Sequence, residues 1–236
     1  VDTVPDEMPY CLKIDCKKFY PSIDHELLKQ AFRKKYKDPD LLEQIDEIID
    51  SSSTCPAPEE NIEFYRSCGN EIKIVEFSGQ EFIEGVGIPI GNYFSQYDGN
   101  FYLTPFDHWM KEVKRVKHYY RYMDDICIFA QTKEELHALL QEIDEYFRTK
   151  LKLRIKGNYQ IFPSFIRGVD FVGYRVFKDY TLLRKSTCLE FERKMAAIRA
   201  KVESGKQMNY SEWCSIQSYK GWLKWCDSSQ LYKTYI

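Results

Sequence analysis

Apolar and polar positions change period several times along the chain, and each change marks an element. Tyr10 to Asp15 (YCLKID) alternates as a buried strand does and ends on a carboxylate. Pro21 then interrupts the chain. Asp24 stands where an N-cap belongs for HELLKQAFRKKYK, and Pro39 fits the first turn of a second helix through Leu41, Leu42, Ile45, Ile48 and Ile49. Ser51 to Gln80, with its serine run, Pro56, Pro58, Gly69 and Gly79, reads as loop with one hairpin, part of an insertion at about 51–85.

A turn from Gly87 to Gly91 opens a long aromatic-rich helix predicted to reach about Val113. Tyr119 to Met123 and Ile126 to Ala130 are strand-like. Asp124 and Asp125 lie between them with room only for a tight turn, which predicts a hairpin with carboxylates at its tip. Thr132 suits the cap of a helix with Leu136, Leu139, Leu140, Ile143 and Phe147 on one face. Short strands follow around Leu153 to Lys156, Phe171 to Phe177 and Thr181 to Leu183. The last fifty residues turn helical, first with Phe191, Met195, Ile198 and Val202 in period, then through Trp213, Trp222 and Trp225. A domain boundary is placed near Ser186. The order of elements is a mixed α+β pattern, satisfied by an antiparallel sheet with helices on one face.

Composition narrows the class. Hydrophobic residues are 44% and charged residues 30%, ordinary for a globular chain, so disorder is not expected. No apolar run approaches the roughly 18 residues that span a bilayer, and the N-terminus lacks the basic and apolar regions of a signal peptide. The chain reads as intracellular and cytoplasmic, with no membrane partner. Its eight cysteines include no C-x-x-C pair and are expected to be small, reduced, buried residues. The four histidines show no ligand spacing and read as surface or capping residues. The net charge of −2 is weak support for phosphate binding, but residues 1–60 carry 8 basic against 14 acidic side chains and residues 186–236 carry 8 against 5. The acidic end suits metal and the basic end suits phosphate.

Asp15 and the Asp124-Asp125 pair, both strand-associated, are positioned to meet on neighbouring strands. Phosphoryl and nucleotidyl transfer needs such a cluster, because Mg²⁺ prefers oxygen ligands and two such ions clamp the attacking and leaving oxygens. Against this, an isolated Asp-Asp in a turn is simply favourable turn chemistry.

The surrounding residues decide between the two. Tyr122-Met123-Asp124-Asp125 (YMDD), preceded by Arg121 and followed by an apolar strand, resembles the signature of reverse transcriptases. Lys13 to His25 (KIDCKKFYPSIDH) is similar to the first catalytic motif of bacterial members. Gly87 to Gln96 (GIPIGNYFSQ) is similar to the next motif, Phe171-Val172-Gly173-Tyr174 to the primer grip, and Gly221-Trp222-Leu223-Lys224 to a thumb segment. The resemblance implies a polymerase palm over 1–185 and a partial helical thumb over 186–236. It implies an RNA-directed DNA polymerase, a nucleotidyltransferase using two Mg²⁺ ions, or Mn²⁺ in their place. Asp15 and Asp124 would hold both metals, Asp125 would support them, and the backbone carbonyl of Cys16 would contact one. Tyr20 matches the aromatic gate against a ribose 2′-hydroxyl. Tyr122 would lie against the primer terminus, and Gln96 and Asn92 would line the template and nucleotide pocket. Phe171, Gly173 and Tyr174 would grip the primer. Lys156 falls where the family often has a basic residue near the triphosphate, able to donate a proton to pyrophosphate, and it reads equally as a solvent-facing strand residue. The tryptophans of the last helix fit a thumb core or a stacking surface for nucleic acid. The implied partners are an RNA template, a DNA or RNA primer, deoxynucleotides and an accessory protein of the retroelement.

One departure refines the resemblance. Many relatives have Gln before the second Gly of the P-x-G turn and Pro after the later Ser; here Ile90-Gly91 and Ser95-Gln96 stand instead. That wording is similar to diversity-generating retroelement enzymes, and an aliphatic Ile90 at the nucleotide pocket implies relaxed base selection. Retron-like, intron-associated and defence-associated enzymes remain alternatives, as do a non-catalytic nucleic-acid-binding remnant and a nucleotide cyclase. Only 14 residues precede Asp15, which implies a fragment without fingers and with a shortened thumb, expected to polymerise weakly or not at all alone.

Overall fold

In the computed structural model, residues 7–235 are described. Strand β1 (Tyr10–Ile14) leads through a tight 3₁₀ turn at Tyr20–Ser22 into α1 (His25–Lys35) and α2 (Pro39–Asp50). Asp24 caps α1 as predicted, its carboxylate accepting from the Leu27 amide at 3.0 Å, and Pro39 stands in the first turn of α2, which Asp38 caps by accepting from the amides of Asp40 and Leu41. The insertion differs from its sequence reading. Besides the expected hairpin, β2 (Ile74–Phe77) and β3 (Gln80–Ile83), it contains a helix, α3 (Glu59–Ser67), started by Pro58 with Glu59 and Glu60 in its first turn. Ile62 and Tyr65, three residues apart, bury with Cys55, Ile83 and Val86 in a small core of their own.

Helix α4 (Tyr93–His108) begins two residues later than expected, because the Asn92 side chain caps it by accepting from Phe94 N at 3.1 Å. A π-helical turn, Trp109–Val113, carries it on to the expected end. Next come β4 (Tyr119–Tyr122), β5 (Asp125–Ala130) and α5 (Lys133–Tyr146), whose Leu136, Leu140 and Ile143 are buried. The strand expected at Leu153 to Lys156 is reduced to one bridge, Ile155 with Cys16, because Lys152 adopts a left-handed conformation that ends the preceding helical turn.

The chain continues through β6 (Gln160–Pro163), the short α6 (Ser164–Arg167), β7 (Val169–Phe171), β8 (Tyr174–Val176), β9 (Thr181–Leu183), α7 (Lys185–Glu203), α8 (Tyr210–Leu223) and α9 (Ser229–Tyr235). Phe171 to Phe177 is therefore not one strand. Val172 and Gly173 both have positive φ, 49° and 85°, and turn the chain back on itself between paired Phe171 and Tyr174.

The sheets have strand orders β4-β5-β1-β6, β2-β3 and β7-β8-β9, and the pairs β2/β3, β4/β5, β7/β8 and β8/β9 are antiparallel. The fold is mixed α+β. Two compact units are formed. The larger holds Leu12–Ile128 and Lys133–Ile161, with a core that includes Leu12, Ile14, Leu28, Phe106, Ile126, Ile143 and Phe147. The smaller holds Phe129–Thr132 and the described parts of Val1–Cys11 and Phe162–Ile236, and its helices close on Leu183, Phe191, Met195, Ile198 and Leu223.

Two further expectations are corrected. The tryptophans do not form the helical core: Trp225 is 72% exposed, Trp213 and Trp222 are also exposed, and aliphatic residues with Phe191 fill the interior instead. His25 is neither a surface nor a capping residue. It is buried, with Nε2 at 3.0 Å from the Gly87 carbonyl and Nδ1 at 3.2 Å from Asp50. All eight cysteines are free, and four of them, Cys11, Cys16, Cys55 and Cys127, are buried.

Candidate active site

The acidic positions are brought together by strand order. β1 lies beside β5, so Asp15, just past the end of β1, comes next to the β4–β5 turn. Tyr122 pairs with Asp125, which leaves Met123 and Asp124 as a two-residue turn, with Met123 at φ 55°. A long unbranched side chain in the left-handed region is a local strain, and the turn is braced. Arg121 donates to the Met123 carbonyl at 2.9 Å and to Asn100 Oδ1 at 3.1 Å, and it grips both carboxylate oxygens of Asp107. Tyr119 also donates to Asp107, at 2.6 Å. Helix α4 thus fixes the hairpin through two of its side chains.

Asp15 and Asp124 lie within hydrogen-bonding reach of each other. Burial pushes the Asp124 carboxyl up to about 6, reinforced by the hydrogen bond with Asp15 and the charges of Asp15 and Asp125. The same surroundings raise the Cys16 thiol well above its ordinary range, through burial first and then Asp124 and Asp15. Asp125 is turned elsewhere, with Oδ2 at 3.3 Å from Lys13 Nζ. Lys156 Nζ stands 3.2 Å from Asp15 Oδ2, and its backbone N–H donates to the Asp15 carbonyl at 2.8 Å. Lys156 is thereby a neighbour of the acidic pair.

Among the described residues, no group of three or more His, Cys, Asp or Glu side chains is disposed to hold a metal ion. Two carboxylates in mutual contact nevertheless fit a hard divalent cation, since they supply the oxygen donors Mg²⁺ prefers. Burial is the largest cause of the Asp124 shift, and the neighbouring charges of Asp15 and Asp125 add to it.

Beside the pair is a cavity of about 420 Å³ lined by Tyr20, Gln96, Tyr97, Asn100, Arg121, Tyr122 and Met123. It gathers three of the residues predicted from sequence, Tyr20, Gln96 and Tyr122. The Tyr20 hydroxyl is shifted upward by partial burial, then by Asp124, Tyr122 and Asp98. The segment carrying Tyr20 is tied to the Gly87 turn by Ile88 N to Tyr20 O (3.0 Å) and Gly87 N to Ile23 O (2.7 Å). Gly87 is required there: at φ 89°, a Cβ would lie 2.6 Å from Thr54 Oγ1 and 2.7 Å from Cys55 N. Ile90, Gly91 and Asn92 do not line the cavity. Ile90 is 75% exposed on the turn, and Asn92 is engaged as the helix cap.

Phe171, Gly173 and Tyr174 belong to the smaller unit. There the β7–β8 turn packs on α8: a Cβ on Gly173 would run into the Trp222 ring, and the Tyr174 hydroxyl donates to the Trp222 carbonyl at 3.1 Å. Sequence reasoning missed the roles of Lys13, Asn100 and Asp107. Lys13 stood inside a recognised motif and Arg121 beside one, whereas Asn100 and Asp107 carried no such signal.

An α+β fold that sets two carboxylates against each other at the ends of adjacent strands has the means for phosphoryl or nucleotidyl transfer. The profile of the reverse transcriptase (RNA-dependent DNA polymerase) family matches residues 5–160, more than half of the chain. The chain belongs to the reverse transcriptase family.

No curated protein matches it. Among solved structures, it is similar to the foamy viral protease-reverse transcriptase in complex with an RNA/DNA hybrid, at 14% identity and TM-score 0.47, covering 94% of this chain and 22% of that one. It is also similar to apo telomerase from Candida tropicalis truncated from its C-terminal domain, at 15% identity and TM-score 0.46, covering 77% and 34%. A third is the telomerase of the same organism in complex with a fragment of telomeric RNA, at 15% identity and TM-score 0.44, covering 80% and 34%. The chain spans between a fifth and about a third of the length of these structures. Among the described residues, no helix is long and apolar enough to cross a membrane.

Proposed function

We propose that the chain carries the nucleotidyl-transfer site of an RNA-directed DNA polymerase, with a palm over 1–185 and a helical thumb segment from 186. The observation that supports it most is the placement of Asp15, at the end of β1, beside the β4–β5 turn that carries Asp124, in a chain of this family. Asp15 and Asp124 would hold two Mg²⁺ ions, with the Cys16 carbonyl as a further oxygen donor. Held by these residues, the ions would supply a lowered pKa for a primer 3′-hydroxyl and positive charge for a triphosphate.

The chain's own residues do the rest. Arg121 and Asp107 keep the Met123-Asp124 turn from relaxing, so the Asp124 carboxylate is held in place before substrate arrives. The ring of Tyr20 forms one wall of the cavity and excludes a sugar with a 2′-hydroxyl, which selects deoxynucleotides. Tyr122 and Gln96 complete the walls around primer end and base. The Lys156 ammonium, beside Asp15, is placed to donate a proton to the departing pyrophosphate. The partners are an RNA template, a DNA or RNA primer and deoxynucleotides.

Within the family, the diversity-generating type is favoured by the sequence wording alone, Ile90-Gly91 in place of a Gln-Gly pair and Ser95-Gln96 after it, since Ile90 stands outside the cavity. The test is extension of a DNA primer on an RNA template by the full-length protein that carries this chain and by its Asp124→Asn variant. Extension by the first and not the second is expected; equal extension by both refutes the metal assignment. Sequencing the products then tests the subtype. Errors concentrated opposite template adenine are expected, and errors spread evenly over the four bases contradict it.

A further inference from the structure

The two acids of the β4–β5 hairpin differ in surroundings. Asp124 sits in the turn against Asp15, whereas Asp125 begins β5 and directs its carboxylate to Lys13 on β1. Both side chains of that ion pair are about three-quarters buried, at 24% and 28% exposure. Lys13 and Asp15 are two residues apart, and side chains two apart along an extended chain share a face. The Asp125 carboxylate therefore has two competing attractions on one face, the Lys13 ammonium and any cation held at Asp15.

We propose that Lys13 is a positioning residue that holds the Asp125 carboxylate out of the metal seat, leaving Asp15 and Asp124 as the two side chains that bind. One observation agrees with it. No cluster of three acidic, His or Cys side chains forms among the described residues, although strand order brings Asp15 beside the turn that carries Asp124 and Asp125.

The chemical consequence is a dependence on nucleotide. Mg²⁺ is commonly held by one or two carboxylates plus substrate phosphates rather than by a complete protein cage. With one of three negative charges neutralised internally, the empty seat attracts metal only weakly. The triphosphate then supplies the missing oxygens, so metal and nucleotide bind together. This inference rests on the reading of Asp15 and Asp124 as metal ligands.

The experiment is an Mn²⁺ titration of the purified protein without nucleotide, followed by electron paramagnetic resonance of the free ion. Lys13→Met is expected to bind Mn²⁺ roughly tenfold more tightly, because one more carboxylate becomes available as a ligand. Lys13→Arg, which keeps the charge, should match the wild type, and adding Asp125→Asn to Lys13→Met should return affinity to the wild-type level. Asp125→Asn alone, which does not depend on the folding of the Lys13 variants, should change affinity less than about twofold, as expected of a residue outside the ligand set. Unchanged or weaker binding by folded Lys13→Met, or a loss in Asp125→Asn as large as in Asp15→Asn, overturns the proposal. If Asp15→Asn and Asp124→Asn both leave Mn²⁺ binding intact, the metal reading itself falls. If they weaken it while Lys13→Met does not tighten it, only the role of Lys13 falls.

Discussion

The Met123-Asp124 turn and the Val172-Gly173 turn are the same construction made to different ends. Each joins two short antiparallel strands through two residues, and each has a side-chain-bearing residue in the left-handed region, Met123 at φ 55° and Val172 at φ 49°. The first is held by charge. Arg121 ties its backbone to Asp107 and Asn100 on α4, and its tip keeps a carboxylate half-buried beside another. The second is held by shape, with the bare Cα of Gly173 seated on the Trp222 ring and a hydroxyl bond from Tyr174 beside it. Packing suffices to place an apolar turn. Holding a carboxylate where it repels its neighbour needs directional, charged bonds that also satisfy their own partners.

The largest effect should follow from removing the charged brace. Arg121→Met strips Asp107 of its bidentate partner and frees the turn, and about 3 kcal/mol of stability should be lost in chemical denaturation, with a steeper loss of primer extension. A loss below 1 kcal/mol would mean that the turn holds without its brace. Next is the packed turn. Gly173→Ala places a methyl against Trp222 at a φ that disfavours any side chain, at a cost of about 2–3 kcal/mol. Part of that cost should return in the double variant with Trp222→Leu, since the two changes share one contact. Strictly additive losses would show that the ring is not what the glycine accommodates.

A third measurement probes the helix that supports the charged turn. Asp98 on α4 is 2% exposed, its Oδ1 has no hydrogen-bond partner among the described residues, and burial raises its carboxyl from 3.8 to about 7. A carboxyl with a raised folded-state value favours the folded protein while protonated. Its contribution is complete below about pH 4, declines as pH rises toward 7, and remains as a constant penalty above that. Asp98→Asn should therefore stabilise the protein at pH 8 by on the order of 2 kcal/mol, with the gain vanishing toward pH 4. A gain independent of pH would dissociate it from this carboxyl. The smallest effect is at Val172, where Val172→Asn, suited to a left-handed position, should raise stability by about 0.5 kcal/mol if nothing but backbone strain is relieved.

Much of this architecture was legible because local chemistry announces it. Asp24 and Pro39 mark helix starts by satisfying or not needing backbone donors, and YMDD between two apolar runs leaves no alternative to a hairpin. What was not legible depended on tertiary partners. Helix α3 lies among Ser, Pro and Gly residues and buries few side chains, so its periodicity is faint. FVGY reads as a strand because Val172, a β-branched residue, occupies a turn position that it ordinarily avoids. The exposure of the tryptophans followed from aliphatic residues filling the interior of the smaller unit first. At the site, the sequence pointed to Asp15, Asp124 and Asp125 together. The separation of Asp125 by Lys13, and the bracing of the hairpin from Asp107, arise between residues too far apart in the chain for any local pattern to reveal.

The most direct test of the central claim is the rate of single deoxynucleotide addition to a DNA primer on an RNA template. It would be compared among the wild type, Asp15→Asn and Asp124→Asn, with folding verified by thermal melting. If the two carboxylates hold the metals, each variant should stay folded and lose about a hundredfold to a thousandfold in rate, the scale of removing a preorganised electrostatic partner. Retention of wild-type rate by either folded variant contradicts the account.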